Sequence, residues 1–113
     1  MSLPLQQIAP DFCVAPQLDP AAMAEAAAAG FKSVINNRPD MEGGAEQPSS
    51  VDIQAAAEAA GLEYRYLPVN GAYQSPDEIE AMRVLVDALP KPILAFCRSG
   101  ARSTRLYVQA TQG

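Results

Sequence analysis

The chain has 113 residues, 49% of them hydrophobic and 19% charged, which suits one α/β-sized domain spanning residues 1–113 around one core. Its formal net charge of −5 argues against nucleic acid and anionic membrane surfaces, both of which need clustered cations. No apolar stretch approaches the roughly 18 residues of a spanning helix, and "MSLPLQQIAPDF" lacks the blocks of a signal peptide, so the cytoplasm is the expected compartment.

Cys13 lies between Phe12 and Val14 with no cation nearby and reads as a core thiol. Asp19 then caps a helix over about 20–29, with Pro20 in its first turn and Gly30 as its stop. "FKSVINN" (31–37) reads as a buried strand that halts at Asn36, Asn37 and Pro39. A polar loop from Arg38 to about Pro48 follows, and Ser49 or Ser50 caps a second helix, "VDIQAAAEAA", that stops at Gly61. "LEYRYLPV" alternates Leu62, Tyr64 and Tyr66 against Glu63 and Arg65, the period of a strand. "SPDE" (75–78) carries a serine cap, a proline at the first helical position and Glu78 at the capping-box position. The helix it opens places Ile79, Met82, Val86 and Leu89 on one face and ends at Pro90 and Pro92. "ILAF" (93–96) is a short apolar strand, and beyond Gly100 a last helix carries Leu106 and Val108. Strands alternating with helices predict an α/β domain with a mostly parallel sheet of four to five strands flanked by helices, with ligands at the carboxyl ends of strands.

Cys97 stands at such an end, in "FCRSGARST". With no histidine and only two cysteines, the chain offers no zinc or transition-metal set from the usual nitrogen and sulfur donors. Chemistry must also do without a histidine base, and no cofactor is implied. A strand-to-helix turn aims successive N–H groups inward and adds the positive end of the helix, which makes an anion cradle. Within Arg98, Ser99, Gly100, Ala101 and Ser103, such dipoles and guanidinium charge are expected to hold Cys97 as a thiolate. Gly100 permits a backbone conformation that a side chain would oppose, and Ser99 or Ser103 is placed to bond the sulfur. Arg102 is expected to grip two oxygens of a tetrahedral anion with its planar fork. The alternative, a core cysteine at an ordinary turn, leaves unexplained why three of the chain's eight basic residues, Arg98, Arg102 and Arg105, crowd into residues 97–105.

"CRSGARS", "VINNRPD", "AAAEAAGLEYRYLPV" and the segment Val14-Ala15-Pro16-Gln17-Leu18 together resemble the phosphatase-like domain of beta-lactamase-hydrolase-like proteins, a branch of the cysteine-dependent dual-specificity phosphatase fold. The likeness covers nearly the whole chain. It implies a cysteine-phosphatase-like single domain with Cys97 as nucleophile and Arg102 as the anion-gripping arginine, and in some members a neighbouring persulfide-oxidising domain. Two departures stand out. Classical cysteine phosphatases resemble one another in five residues between cysteine and arginine, whereas Cys97 and Arg102 enclose four, a spacing similar to the rhodanese loop whose cysteine carries a persulfide. Such phosphatases also resemble one another in an aspartate after the "LPV"-type strand that protonates the leaving oxygen, and Asn70 and Gly71 stand there instead.

A rhodanese-like sulfurtransferase, taking sulfur from a thiosulfate-like donor to a thiol acceptor through a Cys97 persulfide, fits these absences, because sulfite leaves without a strong acid. The alternative enzyme is a phosphatase, with Asp77 or Asp40 recruited as the acid; Asp77, at a helix start, has capping as its other reading. The alternative outside catalysis is a sensor that binds an oxyanion or persulfide without turnover. Arg38 and Tyr73 are further candidates for substrate contacts, Arg38 having a salt bridge with Asp40 or a neighbouring carboxylate as its other reading. Arg105 reads as an outer electrostatic contributor.

Overall fold

A computed structural model describes residues 3–112. In chain order its elements are β1 (Gln6–Ala9), β2 (Phe12–Ala15), α1 (Ala21–Ala28), β3 (Ser33–Asn36), α2 (Ser50–Ala59), β4 (Glu63–Tyr66), α3 (Pro76–Ala88), β5 (Ile93–Phe96) and α4 (Ala101–Thr111). The first three helices begin where side chains take up the free N–H groups of a first turn. Asp19 Oδ1 accepts from Ala22 N at 3.0 Å, Ser49 accepts from Asp52 N, and Ser75 and Glu78 close a reciprocal capping box. Such a cap stabilises a helix by about 1 kcal/mol.

The five strands form one sheet in the order β1-β2-β5-β3-β4, in which β2, β5, β3 and β4 run parallel and only β1 is antiparallel. This is the expected mostly parallel sheet, and it includes a β1–β2 hairpin that the sequence reading does not separate. In β5 every residue is buried, as a central parallel strand requires. Successive residues serve opposite faces: Leu94 and Phe96 pack with Val34, Met23, Ala26, Ile53 and Ala57 beneath α1 and α2. Ile93 and Ala95 pack with Ile35, Met82, Val86 and Leu106 beneath α3 and α4. The Phe12 and Tyr107 rings stack at 4.1 Å and help seat α4 on the second face. Cys13 is half-buried against the first cluster, and burial pushes its thiol pKa up.

The parallel strands end at one edge, and the backbone there is stitched across strands. Asn37 N donates to Phe96 O at 2.8 Å, Leu67 N to Asn36 O at 2.9 Å and Val69 N to Asn37 O at 3.1 Å. The segments following β3, β4 and β5 are thereby fixed side by side. Among the described residues no helix is long and apolar enough to cross a membrane.

Candidate active site

The turn after β5 is built around Gly100. Its φ of 97° lies in the left-handed region that a side chain disfavours, and from there α4 starts at Ala101. This conformation turns the loop back on the sulfur, so that Gly100 N donates to Cys97 Sγ at 3.1 Å. Burial pushes the Cys97 pKa up, but the Ser103 N–H, the Ser103 hydroxyl and the N–H groups of Gly100 and Ser99 pull it down further. The net position is below that of an ordinary thiol. The thiolate form is therefore favoured by hydrogen bonds of its own loop, where the sequence also suggested guanidinium charge. Ser99 contributes only its N–H, since its hydroxyl accepts from Ala101 N in a local turn.

The Ser103 hydroxyl has one proton and two acceptors in reach, the sulfur and Asn37 Oδ1 at 2.9 Å. Asn37, fully buried, donates in turn to Leu67 O at 3.0 Å. It thus ties the end of β3 to the chain after β4 and to the cradle. The double asparagine marks a strand end in the sequence, yet nothing local shows that one of the pair reaches Ser103.

Arg102, 8% exposed, is held from two remote segments. Nη1 donates to Val69 O at 2.9 Å and to Glu42 Oε2 at 3.1 Å, and Nη2 donates to Glu42 Oε1 at 3.0 Å. The end of the guanidinium is thus a bidentate pair with Glu42. Its other edge is open at Nε, the one buried side-chain polar atom among the described residues that has no hydrogen-bond partner. An unpaired buried donor is costly, and an oxyanion at that edge would satisfy it. Gly71 lies against the same group: a Cβ there would come within 3.0 Å of Nη2 and 3.2 Å of Nε. Glycine is needed here for close approach rather than for its dihedral angles.

Glu42 also accepts from Arg38 Nε at 2.9 Å, while Arg38 Nη1 donates to Gln17 at 3.1 Å. Hydrogen bonding to Arg102 lowers the Glu42 pKa most, burial opposes it, and Arg38 lowers it further. Arg38 therefore does pair with a carboxylate, which is Glu42 and not Asp40. Arg38, Glu42, Gly43, Asn70, Gly71, Arg98 and Arg102 line a cleft of about 590 Å³. A second hollow of about 230 Å³, beside α1 and lined by residues such as Leu18 and Ala22, lies away from this chemistry.

Of the sequence candidates only Arg38, Arg98 and Arg102 line this cleft; Cys97, 1% exposed, and Ser99, Gly100, Ala101 and Ser103 of its loop are not among the lining residues, and Asp40, Asp77 and Tyr73 fall outside it as well. Asp40 Oδ1 accepts from Ser50 N at 2.8 Å at the start of α2, and its own N–H donates to Tyr66 Oη. Asp77 sits in the first turn of α3. Tyr73 is 66% exposed and does not line the cavity. Arg105 donates to Gly71 O and braces the loop after β4, a mechanical role beyond its charge. Sequence reasoning missed Glu42 altogether, because it sits in an irregular loop 60 residues from its partner.

The family described as beta-lactamase hydrolase-like protein, phosphatase-like domain, matches residues 4–113. The chain belongs to this family. The domain is 40% identical over 81 residues to a beta-lactamase hydrolase-like protein of Agrobacterium fabrum, an alignment covering 72% of the chain and 19% of that protein. It thus spans about a fifth of the curated relative. Among solved structures it is similar to a candidate phosphatase of Neisseria meningitidis, with a TM-score of 0.85, 30% identity, and coverage of 94% of this chain and 75% of that one. TpbA of P. aeruginosa, solved in complex with pTyr, shares the fold with a TM-score of 0.68 at 17% identity, covering 96% of this chain and 65% of that one. The domain is therefore a cysteine-phosphatase-like fold of a phosphatase-like family.

Proposed function

We propose that the domain is a cysteine-dependent phosphatase-type enzyme in which Cys97 receives the transferred group. One observation carries this reading: the Cys97 thiol is held below its ordinary pKa by four donors of its own loop, one turn from an arginine whose Nε is unpartnered. In the reaction the Cys97 sulfur attacks phosphorus while the ester oxygen departs with its bonding pair. The loop N–H groups and Arg102 stabilise the charge on the equatorial oxygens, and water then releases phosphate from the cysteine. The family and the Neisseria likeness support phosphoryl chemistry.

The cleft holds no efficient proton donor. Glu42 is its one lining acid, and its oxygens already accept from Arg102 and Arg38, which stabilise it ionised. Favoured substrates are consequently esters with acidic leaving groups. That same feature, with the four-residue spacing from Cys97 to Arg102, favours a second reading: sulfur transfer. There the thiolate attacks the outer sulfur of a thiosulfate-type donor, the sulfur–sulfur bond breaks, sulfite leaves with the electron pair, and an acceptor thiol takes the sulfur from the Cys97 persulfide.

A rate comparison across aryl and alkyl phosphates, beside thiosulfate with a thiol acceptor, tests both. Phosphate release that rises with leaving-group acidity and vanishes in Cys97→Ser supports the first reading. Sulfite release with persulfide formation, without phosphate release from the esters, replaces it with the second. Turnover that survives in Cys97→Ser overturns the site.

A further inference from the structure

We propose that Glu42 sets the charge of the ligand this cleft accepts, making it selective for a singly charged anion over a dianion of the same shape. The inference rests on Arg102 as the oxyanion grip.

Three guanidinium groups, Arg38, Arg98 and Arg102, line the cleft against one carboxylate, Glu42. In the proposed reaction the ligand also meets Cys97 as a thiolate, and counting that charge beside the lining residues leaves one positive charge, which a monoanion neutralises. Arg98 is exposed, so solvent screens its contribution and the balance tilts further toward a single charge. A dianion would bring its second charge toward a carboxylate bound to the very guanidinium that must hold the ligand.

Glu42 is not a side chain free to swing aside. It accepts three charge-assisted hydrogen bonds, from Arg102 Nη1 at 3.1 Å, Arg102 Nη2 at 3.0 Å and Arg38 Nε at 2.9 Å. Its backbone is fixed on both sides. Met41 before it has a φ of 67°, a strained value for a residue with a side chain, and persists because the loop is bonded around it. Gly43 N donates to Gln47 Oε1 at 2.7 Å and Gln47 Nε2 to Pro39 O at 2.9 Å.

The pairing also divides the guanidinium. Glu42 occupies the end formed by Nη1 and Nη2, which leaves the edge at Nε for one ligand. Glu42 thus does two things at once: it orients that edge and subtracts a charge beside it. The ligand class that follows is singly charged, a phosphate ester in its singly protonated form, so thiosulfate and fully ionised aryl phosphates, both dianions, enter as weaker ligands of the same cleft.

Sulfate and methanesulfonate test this, since both present a three-oxygen face and differ by one charge. Calorimetry at neutral pH would compare their Kd values for wild type, Glu42→Gln and Arg102→Ala. Wild type is expected to bind methanesulfonate at least as tightly as sulfate. Glu42→Gln is expected to tighten sulfate about tenfold while changing methanesulfonate less than about threefold. Equal changes for the two ions, or none, overturn the charge selection, even if Glu42→Gln lowers Tm as a mere structural prop would. Should that variant not fold, wild-type preference for sulfate by about tenfold overturns it alone. Arg102→Ala separates the two levels of the argument: loss of both ions keeps the site reading whatever Glu42→Gln does, whereas unchanged affinity for both places the ions elsewhere and removes the site and the selection together.

Discussion

The loops after β5 and β4 leave parallel strands at the same sheet edge, yet the proposed reaction assigns them opposite ends. After β5, Gly100 and the start of α4 turn the N–H groups of Ser99, Gly100 and Ser103 onto one sulfur. After β4, Asn70 spends its polar atoms locally: its Oδ1 accepts from Ala72 N at 2.7 Å and its carbonyl from Gln74 at 2.8 Å. Gly71 packs on Arg102 and supplies no proton. In the proposed reaction the nucleophile is thus prepared while the leaving group departs by itself, and the driving force for transfer comes from the substrate's own leaving group and from charge stabilisation at the cradle.

The largest effect that would break this contrast is Cys97→Ser. It is expected to abolish turnover with little change in Tm, because a serine hydroxyl is nearly isosteric but stays protonated; residual activity near wild type in a steady-state assay would refute the preparation of the sulfur. Next comes Arg102→Lys, expected to cost on the order of 10²-fold in kcat/KM, since an ammonium cannot keep Glu42, Val69 O and a substrate oxygen at once. A loss below about threefold would remove Arg102 from the chemistry.

The other loop can be sharpened rather than broken. Asn70→Asp installs an acid at the cleft wall, and about a tenfold gain is expected on alkyl phosphates with almost none on aryl phosphates. An equal gain on both would mean that the new group acts by charge and not by proton donation. Ser103→Ala removes one of the four donors to Cys97, so the pH profile of Cys97 alkylation should shift to higher pH while the plateau rate stays similar. The smallest effect is on stability. The Glu42 pKa is depressed in the folded chain, so its pairing stabilises above the ordinary carboxylate range and is lost as pH falls through the lowered folded value. Urea midpoints of wild type and Glu42→Gln should therefore differ at neutral pH and converge in acid.

What could be read from the sequence follows the range of the contacts involved. α3 was legible because its cap, its proline and its apolar face all lie within fifteen residues, 75–89. Cys97 and Arg102 were legible for the same reason, since a strand-to-helix turn is a local object. The β1–β2 hairpin was not, although its pairing of Gln7 with Cys13 and Ala9 with Phe12 is local: the register slips between Gln7 and Ala9 and no residue of β1 is buried, so it shows no clean alternation. Glu42 and Asn37 escaped because of range. Each becomes meaningful only when the sheet brings the segment after β3 against α4, and no spacing within "NNRPDMEGG" encodes that approach.

The central claim is covalent transfer to Cys97, and intact mass after acid quench tests it most directly. Protein exposed briefly to an aryl phosphate is expected to carry one added phosphoryl group, absent in Cys97→Ser. A parallel sample given thiosulfate reports whether sulfur is taken instead. Unmodified protein in both samples, while phosphate or sulfite still accumulates in solution, would contradict a cysteine-bound intermediate and with it the role assigned to the cradle.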